Sequence, residues 1–324
     1  QPSIPMRLDP NGVFSVGLKI GRRSADLTLV DFLGRARKTI NKSHSYPNAR
    51  DVLQFAEDGI AELSRVIPKK QRNRLAGIGV SIPFELWNWA EKIDAPKSEM
   101  ESWRNVDLRS ELANVCKLPT FLQNDATAAC GAELVFGRGA ELTDFVYFFI
   151  GTFIGGGIVL NHSLYSGRSG NAGALGSMPV IDKGGHPTQL IDHASIFTLE
   201  AMLREAGQDH SPIWLQPDDW SGFGPVLDRW IANTALHLAA AIASASSVID
   251  FSAAGVDGTV PPNVRSRLVA ETIEELEKLD LQGIREPKVF EGTLGSRARA
   301  LGGASLPLFA RYLLDQNVLV KGVN

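Results

Sequence analysis

The chain has 324 residues, and its 44% hydrophobic and 21% charged residues are typical of a folded globular protein and exclude a disordered one. Its 33 basic and 36 acidic groups give a net charge of −3, which argues against a nucleic-acid-binding surface spread over the whole chain. Two cysteines, Cys116 and Cys130, exclude a disulfide framework and a cysteine-rich zinc module. The opening residues show no secretory pattern and no apolar run reaches roughly 18 residues, so we expect a cytoplasmic protein without a membrane span.

The first half of the chain predicts three strands followed by alternating helices and strands. Period-2 alternation of apolar residues predicts strands over 13–20, 24–32 and 35–41, joined by short turns. Apolar residues at helical spacing then predict a helix over 51–66, which Pro68 ends. The later elements are a buried strand over 75–82, a helix over 107–116, a strand over 120–123 and a helix over 125–136.

The second half repeats this order without obvious sequence identity. Its predicted strands lie at 145–150, 155–160, 163–165, 253–256 and 288–290, and its helices at 195–206, 224–248, 264–278 and 294–314. Two halves that each begin with strands and continue with alternating helices and strands indicate an α/β protein of the actin-like ATPase (ribonuclease H-like) fold, with two lobes and a central cleft. The helix over 224–248 is rich in alanine and serine, which suits close packing against another helix or across a dimer interface.

Two motifs are candidates for function, one for phosphate binding and one for acid–base catalysis. The loop Gly151-Thr152-Phe153-Ile154-Gly155-Gly156-Gly157-Ile158 lies between two predicted strands, where glycines allow backbone N–H groups to approach a phosphate. A plain glycine-rich hairpin is the alternative. Asn124-Asp125 lies at the end of a predicted strand, where an aspartate can act as a base on a hydroxyl or can cap the helix that follows.

These motifs, in this order with the stretch Gly170-Asn171-Ala172-Gly173-Ala174-Leu175-Gly176-Ser177-Met178-Pro179-Val180, resemble the ROK family of bacterial sugar kinases and sugar-responsive transcriptional repressors. The resemblance extends from Val13 to the C-terminal helix. It implies lobes over 13–123 with 300–324 and over 124–299, and a sugar site that includes Asn124 and Asp125.

The chain departs from the family's kinases at the first phosphate loop. The kinases carry Asp-x-Gly-Gly-Thr in the first hairpin, where this chain has Lys19-Ile20-Gly21-Arg22-Arg23. A lysine cannot hold magnesium, and two arginines would crowd a loop that needs bare backbone. Lys19, Arg22 and Arg23 are otherwise interpreted as solvent-facing charges on a surface hairpin, or as ligands of ATP phosphates or of a phosphosugar effector.

The sugar and zinc motifs differ as well. Ala174 and Ser177 replace the sugar-binding glutamate and the histidine that the family shares with a structural zinc, and the zinc loop of three cysteines becomes a shorter segment, 183–191, without cysteine. Gln189 stands where the last cysteine is expected and Ile191 where a sugar-binding glutamate is expected. His186 and His193 alone rarely form a structural zinc site, so we expect no metal.

Two further positions differ from the kinases, and a tryptophan cluster lies after the first of them. The family's Pro-Gly after the buried strand is Pro83-Phe84 here, and Asp257 lies where a glycine packs on adenine. Trp87, Trp89 and Trp103 could stack on a sugar, or form a packed or mobile loop.

These losses favour the effector-binding and dimerising part of a sugar-responsive regulator without kinase activity. We expect no catalytic residue, with Asp125 a vestigial base, and no cofactor. The expected effector site is Asn124, Asp125, Asn171 and Ser177, beside a remnant of the phosphate loop at Gly151, Thr152, Gly155, Gly156 and Gly157. Residues 1–12, which begin with Gln1, are interpreted as a linker from a missing N-terminal module that binds operator DNA. A kinase using ATP and Mg²⁺ at a divergent site, and an oligomeric ligand-binding scaffold, are the alternatives.

Overall fold

The computed structural model describes residues 7–90, 95–182 and 184–312. The chain forms two compact units. The first consists of the residues up to Ala132 together with those from Ala298 onward, and the second is Glu133–Arg297.

The described residues form strands and α-helices, with two runs of consecutive strands. The strands are β1 (Phe14–Ile20), β2 (Ser24–Asp31), β3 (Ala36–Ser43), β4 (Leu75–Ile82), β5 (Thr120–Asn124), β6 (Phe145–Ile150), β7 (Gly155–Leu160), β8 (Ser163–Leu164), β9 (Pro179–Ile181), β10 (Pro187–Gln189), β11 (Ala253–Gly258) and β12 (Lys288–Glu291). The α-helices are α1 (Ala49–Val66), α2 (Lys97–Ser102), α3 (Leu108–Cys116), α4 (Asp125–Phe136), α5 (Ile196–Glu205), α6 (Pro212–Leu215), α7 (Gly224–Val248), α8 (Pro262–Leu276) and α9 (Ala298–Tyr312).

Each unit contains a five-stranded sheet of the same design. In the first unit the order is β3-β2-β1-β4-β5, with an antiparallel meander β1-β2-β3 and parallel pairs β1-β4 and β4-β5. In the second unit the order is β12-β11-β6-β7-β8, with the meander β6-β7-β8 and parallel pairs β6-β11 and β11-β12. The predicted repeat is therefore confirmed, together with the α/β class.

The last helix of the chain completes the first unit by packing very closely on β1 and β4. A Cβ added at Gly79 of β4 would lie 1.8 Å from the carbonyl oxygen of Gly303 in α9, so only a glycine allows this approach. Ser81 adds a hydrogen bond from its hydroxyl to the carbonyl oxygen of Arg299, at 2.7 Å. The position of Arg299 beside the sheet is thus fixed by its backbone.

α7 is the one helix of the described residues that is long and apolar enough to match a membrane span by length and composition. Half of the apolar window in α7 is buried, and its buried face, which includes Trp230, Leu238 and Ile242, belongs to the core of the second unit. A buried core helix explains this composition.

Most predicted elements are present within a few residues of the expected bounds, and the differences are short. The sequence pattern missed β9, β10, α2 and α6, each of six residues or fewer. The last helix begins at Ala298 and not at 294, because a single 3₁₀ turn, Gly295–Arg297, precedes it. Residues 1–6 of the predicted linker lie outside the described residues.

Candidate functional site

Asn124 and Asp125 lie where β5 ends and α4 begins in the first unit. The Asn124 Oδ1 accepts hydrogen bonds from the backbone N–H groups of Ala126 at 3.0 Å and Thr127 at 3.1 Å, so Asn124 caps α4. The alternative interpretation assigned that cap to Asp125. Asp125 instead accepts the Ala126 N–H on Oδ1 at 2.9 Å and Arg299 Nη1 on Oδ2 at 3.2 Å.

Arg299 is a site residue that the sequence analysis missed. It lies near the N-terminus of α9, and its pair with Asp125 is largely buried, with side chains 15% and 16% exposed. Both Asp125 oxygens already have a partner, so a sugar hydroxyl bound to Asp125 would share an oxygen with the Ala126 N–H or with the Arg299 guanidinium. No local sequence signal could have paired two residues 174 positions apart.

The β1–β2 hairpin turns Lys19 inward. The strand register places Lys19 opposite Asp26, and Lys19 Nζ donates to Asp26 Oδ2 and to Ser24 Oγ, each at 2.9 Å. The Asn41 amide donates to the other Asp26 oxygen. Lys19 is only 8% exposed, and burial, together with the nearby charge of Arg299, lowers its pKa. The position of the kinases' acidic residue therefore holds an ion pair internal to the hairpin.

Arg22 and Arg23 behave differently although they are adjacent. Arg22 is partly buried, and its guanidinium lies 4.2 Å from the ring centroid of Trp89, whereas Arg23 is exposed. Burial lowers the pKa of Arg22 to about 9, with the attraction of Asp125 opposing that shift, so Arg22 remains cationic at neutral pH. The interpretation as solvent-facing charges is wrong for Lys19 and Arg22 and right for Arg23.

The tryptophans after β4 are packed. Trp103 is buried and donates its indole N–H to the carbonyl of Pro47 at 3.0 Å. Trp87 lies under Arg104 at 5.1 Å, and Trp89 donates to the carbonyl of Phe84 at 3.1 Å. These contacts favour the packed-loop interpretation over an open sugar platform.

The glycine-rich loop joins β6 to β7 in the second unit, and its first part is tied to the start of α5. The carbonyl oxygens of Gly151 and Thr152 accept the N–H groups of Ile196 and Phe197, both at 3.0 Å. The Ile154 N–H donates to Ser195 Oγ at 3.1 Å. These bonds fix the loop without any ligand.

The later glycines of this loop pack against the segment that holds Asn171 and Ser177. Gly173 has a φ of +78°, and a Cβ there would lie 2.7 Å from Gly157 Cα. Glycines at both positions are thus explained by close backbone packing, and the phosphate interpretation stays a prediction. Within this unit Asn171 is partly exposed and Ser177 is exposed.

The segment that replaces the zinc loop forms the β9–β10 hairpin. Asp182 Oδ1 accepts the N–H groups of Gly184 and His186, each at 2.8 Å, and closes the turn. Gln189 and Asp192 then form a capping box on the turn Leu190–Asp192. In the part of the chain that the structure describes, no three potential ligands cluster to hold a metal.

His193 stacks on His237 of α7, with ring centroids 3.8 Å apart and planes 9° apart. Its Nε2 lies 2.8 Å from the Thr188 hydroxyl. Burial and the neighbouring His237 lower the pKa of His193, which favours the neutral ring.

Asp257 lies inside the second unit and is fully buried. It accepts hydrogen bonds from Tyr147 Oη at 2.9 Å and Arg265 Nη1 at 3.0 Å, and from the N–H groups of Gly258 and Gly295 at 2.8 Å and 3.0 Å. Arg265 also binds Glu291 through Nε at 2.9 Å. The residue that replaces the adenine-packing glycine therefore anchors an internal polar network.

Residues 15–190, more than half of the chain, match the model of the ROK family. The chain belongs to the ROK family. A relative from Sinorhizobium fredii, the uncharacterized protein y4fQ, is 25% identical over 318 residues, which cover 96% of this chain and 77% of y4fQ. The xylose repressor of Bacillus subtilis is 34% identical over 106 residues, which cover 33% of this chain and only 27% of the repressor.

Solved structures of ROK proteins share the fold. A ROK glucokinase from Streptomyces griseus, solved with glucose and AMPPNP, superposes with a TM-score of 0.68 at 22% identity, covering 90% of this chain and 98% of the kinase. A ROK transcriptional regulator, described as a homologue of the E. coli MLC protein, superposes with a TM-score of 0.70 at 19% identity, covering 100% of this chain and 82% of the regulator. Both kinds of ROK protein thus share the actin-like ATPase fold of this chain.

Proposed function

We propose that this chain is the effector-binding and self-associating region of a cytoplasmic, sugar-responsive transcriptional regulator without kinase activity. The observation that carries the proposal is the β1–β2 hairpin, where Lys19 is paired with Asp26 at 2.9 Å. Phosphoryl transfer relies on positioning and on neutralisation of phosphate charge by a metal. Lys19 itself offers no carboxylate to a metal, and both oxygens of its partner Asp26 already accept hydrogen bonds, from Lys19 and from Asn41.

Two further residues, one in each unit, support this function. Asp125, the residue expected to act as a base in a kinase, is held by Arg299 at 3.2 Å. Asp257 is buried and accepts hydrogen bonds from four donors. Its side chain fills space that a glycine would leave open beside a nucleotide base.

A ROK kinase with a divergent nucleotide site is the alternative function. It is favoured by the retained Asn124-Asp125 pair at the start of α4 and by the fold shared with a glucokinase. ATP and Mg²⁺ would then be required.

A coupled assay with magnesium ATP and a panel of hexoses and pentoses separates the two functions. We expect turnover far below the kinase range of about 1–100 s⁻¹. Asp125→Asn is the matched control, because trace activity that survives this change comes from a contaminating kinase. Turnover in the kinase range that is lost in Asp125→Asn would establish the alternative.

The proposed partners are a sugar or sugar derivative, a second copy of the chain, and operator DNA bound through an N-terminal module outside residues 1–324. The xylose repressors among the relatives support this assignment. Binding of promoter fragments by a protein extended at its N-terminus, and release on adding the effector, is the corresponding measurement.

A further inference from the structure

One segment of the first unit carries a local excess of positive charge. Residues 63–84 contain five basic residues and no acidic one, although the whole chain has a net charge of −3. All five are exposed and form the basic cluster: Arg65 in the last turn of α1, and Lys69, Lys70, Arg72 and Arg74 in the 3₁₀ turn that follows it. Exposed basic residues concentrated on one part of a surface are the electrostatic footprint of an anionic partner.

The basic cluster lies at the amino edge of the parallel strands in the first sheet. The 3₁₀ turn leads directly into Leu75, the first residue of β4, which pairs with Phe14, the first residue of β1. Asn124 and Asp125, part of the expected effector site, lie at the carboxyl end of β5, which is parallel to β4. A partner bound at the basic cluster would therefore leave that end of the sheet open.

The acidic side chains near the basic cluster are engaged in other contacts. Asp31 is buried and pairs with Arg37 of β3 at 3.4 Å, and Glu62 of α1 pairs with Lys38. Asp9 accepts a backbone N–H group of its own turn at 2.9 Å. The five exposed cations thus present their positive charge at the surface.

The end of the predicted linker is fixed beside the basic cluster. Arg74 Nη1 donates to the carbonyl oxygen of Asn11 at 2.8 Å. Asn11 also lines a small cavity together with Val66, at the end of α1, and Gln71, in the 3₁₀ turn. Because residues 1–12 are interpreted as a linker to a DNA-binding module, DNA held by that module would be within reach of this surface.

We propose that the basic cluster binds the phosphate backbone of the DNA that the N-terminal module holds, a proposal that rests on the regulator function. Lysine and arginine bind phosphate oxygens through charge-assisted hydrogen bonds, and each neutralised phosphate releases a counterion. Such contacts add affinity and fix the position of the protein on the duplex without reading its sequence. The linker brings DNA to this surface, and not an anionic membrane.

The first test measures binding of residues 1–324 to a fluorescent random-sequence DNA duplex by anisotropy. At low salt we expect a Kd of about 10⁻⁶–10⁻⁴ M, the usual range for non-specific binding. The logarithm of the association constant should fall linearly with the logarithm of the salt concentration. The slope should reach at most about −4.5, the limit for five neutralised phosphates.

Lys69→Gln combined with Lys70→Gln tests where the duplex binds. Both lysines are exposed, whereas Arg72 and Arg74 also hold backbone carbonyl oxygens and are left unchanged. The double variant should bind the random duplex about tenfold or more weakly, with a salt slope smaller by about two. A double variant that binds like the parent would overturn the inference.

Arg285→Gln combined with Lys288→Gln is the matched control, because it removes the same charge from exposed residues of the second unit. It should change the affinity for the duplex by less than about twofold. Arg65→Gln provides a second variant of the basic cluster and should reduce the salt slope by about one. Thermal midpoints of all variants confirm that they are folded.

A protein extended at its N-terminus separates this inference from the proposed function. On a promoter fragment that it retains, the lysine double variant should lose affinity but keep the parent's preference for that fragment over random DNA. A double variant that binds the fragment as tightly as the parent would overturn the inference and leave the regulator function standing.

Two further outcomes would also overturn the inference. If residues 1–324 bind phosphatidylserine vesicles but not the random duplex, the basic cluster belongs to a membrane-binding surface. If the extended protein retains no promoter fragment, the proposed function is contradicted, and the DNA contact with it.

Discussion

Asp257 gathers four hydrogen-bond donors although it is fully buried. A buried carboxylate is stable only if its lost hydration is replaced, and the Tyr147 hydroxyl at 2.9 Å is one of the replacements. We expect Tyr147→Phe to lower the free energy of unfolding by about 1.5–3 kcal/mol, the usual range for a hydrogen bond to a charged group. Urea unfolding measures this change.

Tyr165→Phe is the matched control for this variant, because the Tyr165 ring is 49% exposed. It should change stability by less than about 0.5 kcal/mol. A Tyr147→Phe protein as stable as Tyr165→Phe would show that the hydroxyl contributes nothing to the network.

Two ion pairs of the first unit show which side-chain contacts follow from local sequence rules and which do not. The pair Lys19–Asp26 follows from hairpin register, because a tight turn that pairs Ile20 with Ala25 must place residue 19 opposite residue 26. The pair Asp125–Arg299 does not follow from any local rule, since packing of α9 on the sheet creates it. Asn124 and Asp125 were therefore placed correctly at a strand end, whereas neither ion pair, Lys19–Asp26 or Asp125–Arg299, was predicted from the sequence.

Among the elements, the turn after β10 is joined to α7 by the stacked rings of His193 and His237. Asp182 and Asp192 are the acidic groups that act on His193, and burial with His237 outweighs them, so the pKa of His193 is lowered. Between this lowered pKa and the unfolded value near 6.5, the unfolded chain binds more protons than the folded one. Protonation of His193 therefore destabilises the fold, and stability should fall as the pH drops below about 6.5.

The measurement is urea unfolding of the parent and of His193→Gln at pH 7, 6 and 5. The parent should lose more stability toward pH 5 than His193→Gln, by less than the limiting slope of about 1.4 kcal/mol per pH unit for one proton. His186→Gln serves as the control, because the His186 side chain is 77% exposed. Equal slopes for parent and His193→Gln would rule out this role for the stack.

Long elements with clear periodicity were predicted to within a few residues, and four short ones, β9, β10, α2 and α6, were missed. β4, α4, β6, β7 and α7 match their expected bounds, because each carries a continuous apolar run or a sustained helical period. β9 and β10, of three residues each, are held by their mutual hydrogen bonds and by the Asp182 turn, and three residues are too few to display a period.

At the scale of the whole molecule, the first unit is built from both ends of the chain. α9 returns to β1 and β4, and Gly79 lies against Gly303 where no side chain fits. We expect Gly79→Ala to displace α9 and to cost about 3 kcal/mol, the upper range for overpacking a core. The thermal midpoint should fall, and the affinity for any ligand that requires Arg299 should fall with it.

Gly222→Ala is the control for this substitution, because a Cβ there meets nothing within 4 Å. A Gly79→Ala protein with the stability of Gly222→Ala would mean that α9 can shift without loss.

The repeated sheet order was predictable at this scale because both halves carry the same succession of strands and helices. α9 packs on β1 and β4, which lie far from it in the sequence. The order of the elements alone does not show which sheet a helix packs on.

The return of α9 to the first unit also sets the order in which the two units can complete their folding during translation. The second unit, Glu133–Arg297, is continuous in sequence and can close its core once its last residue has left the ribosome. The first unit is synthesised earlier but waits for α9, so the faces of β1 and β4 that α9 covers stay exposed through the synthesis of the entire second unit. Of the two units, the one whose synthesis begins first is thus the one that folds last.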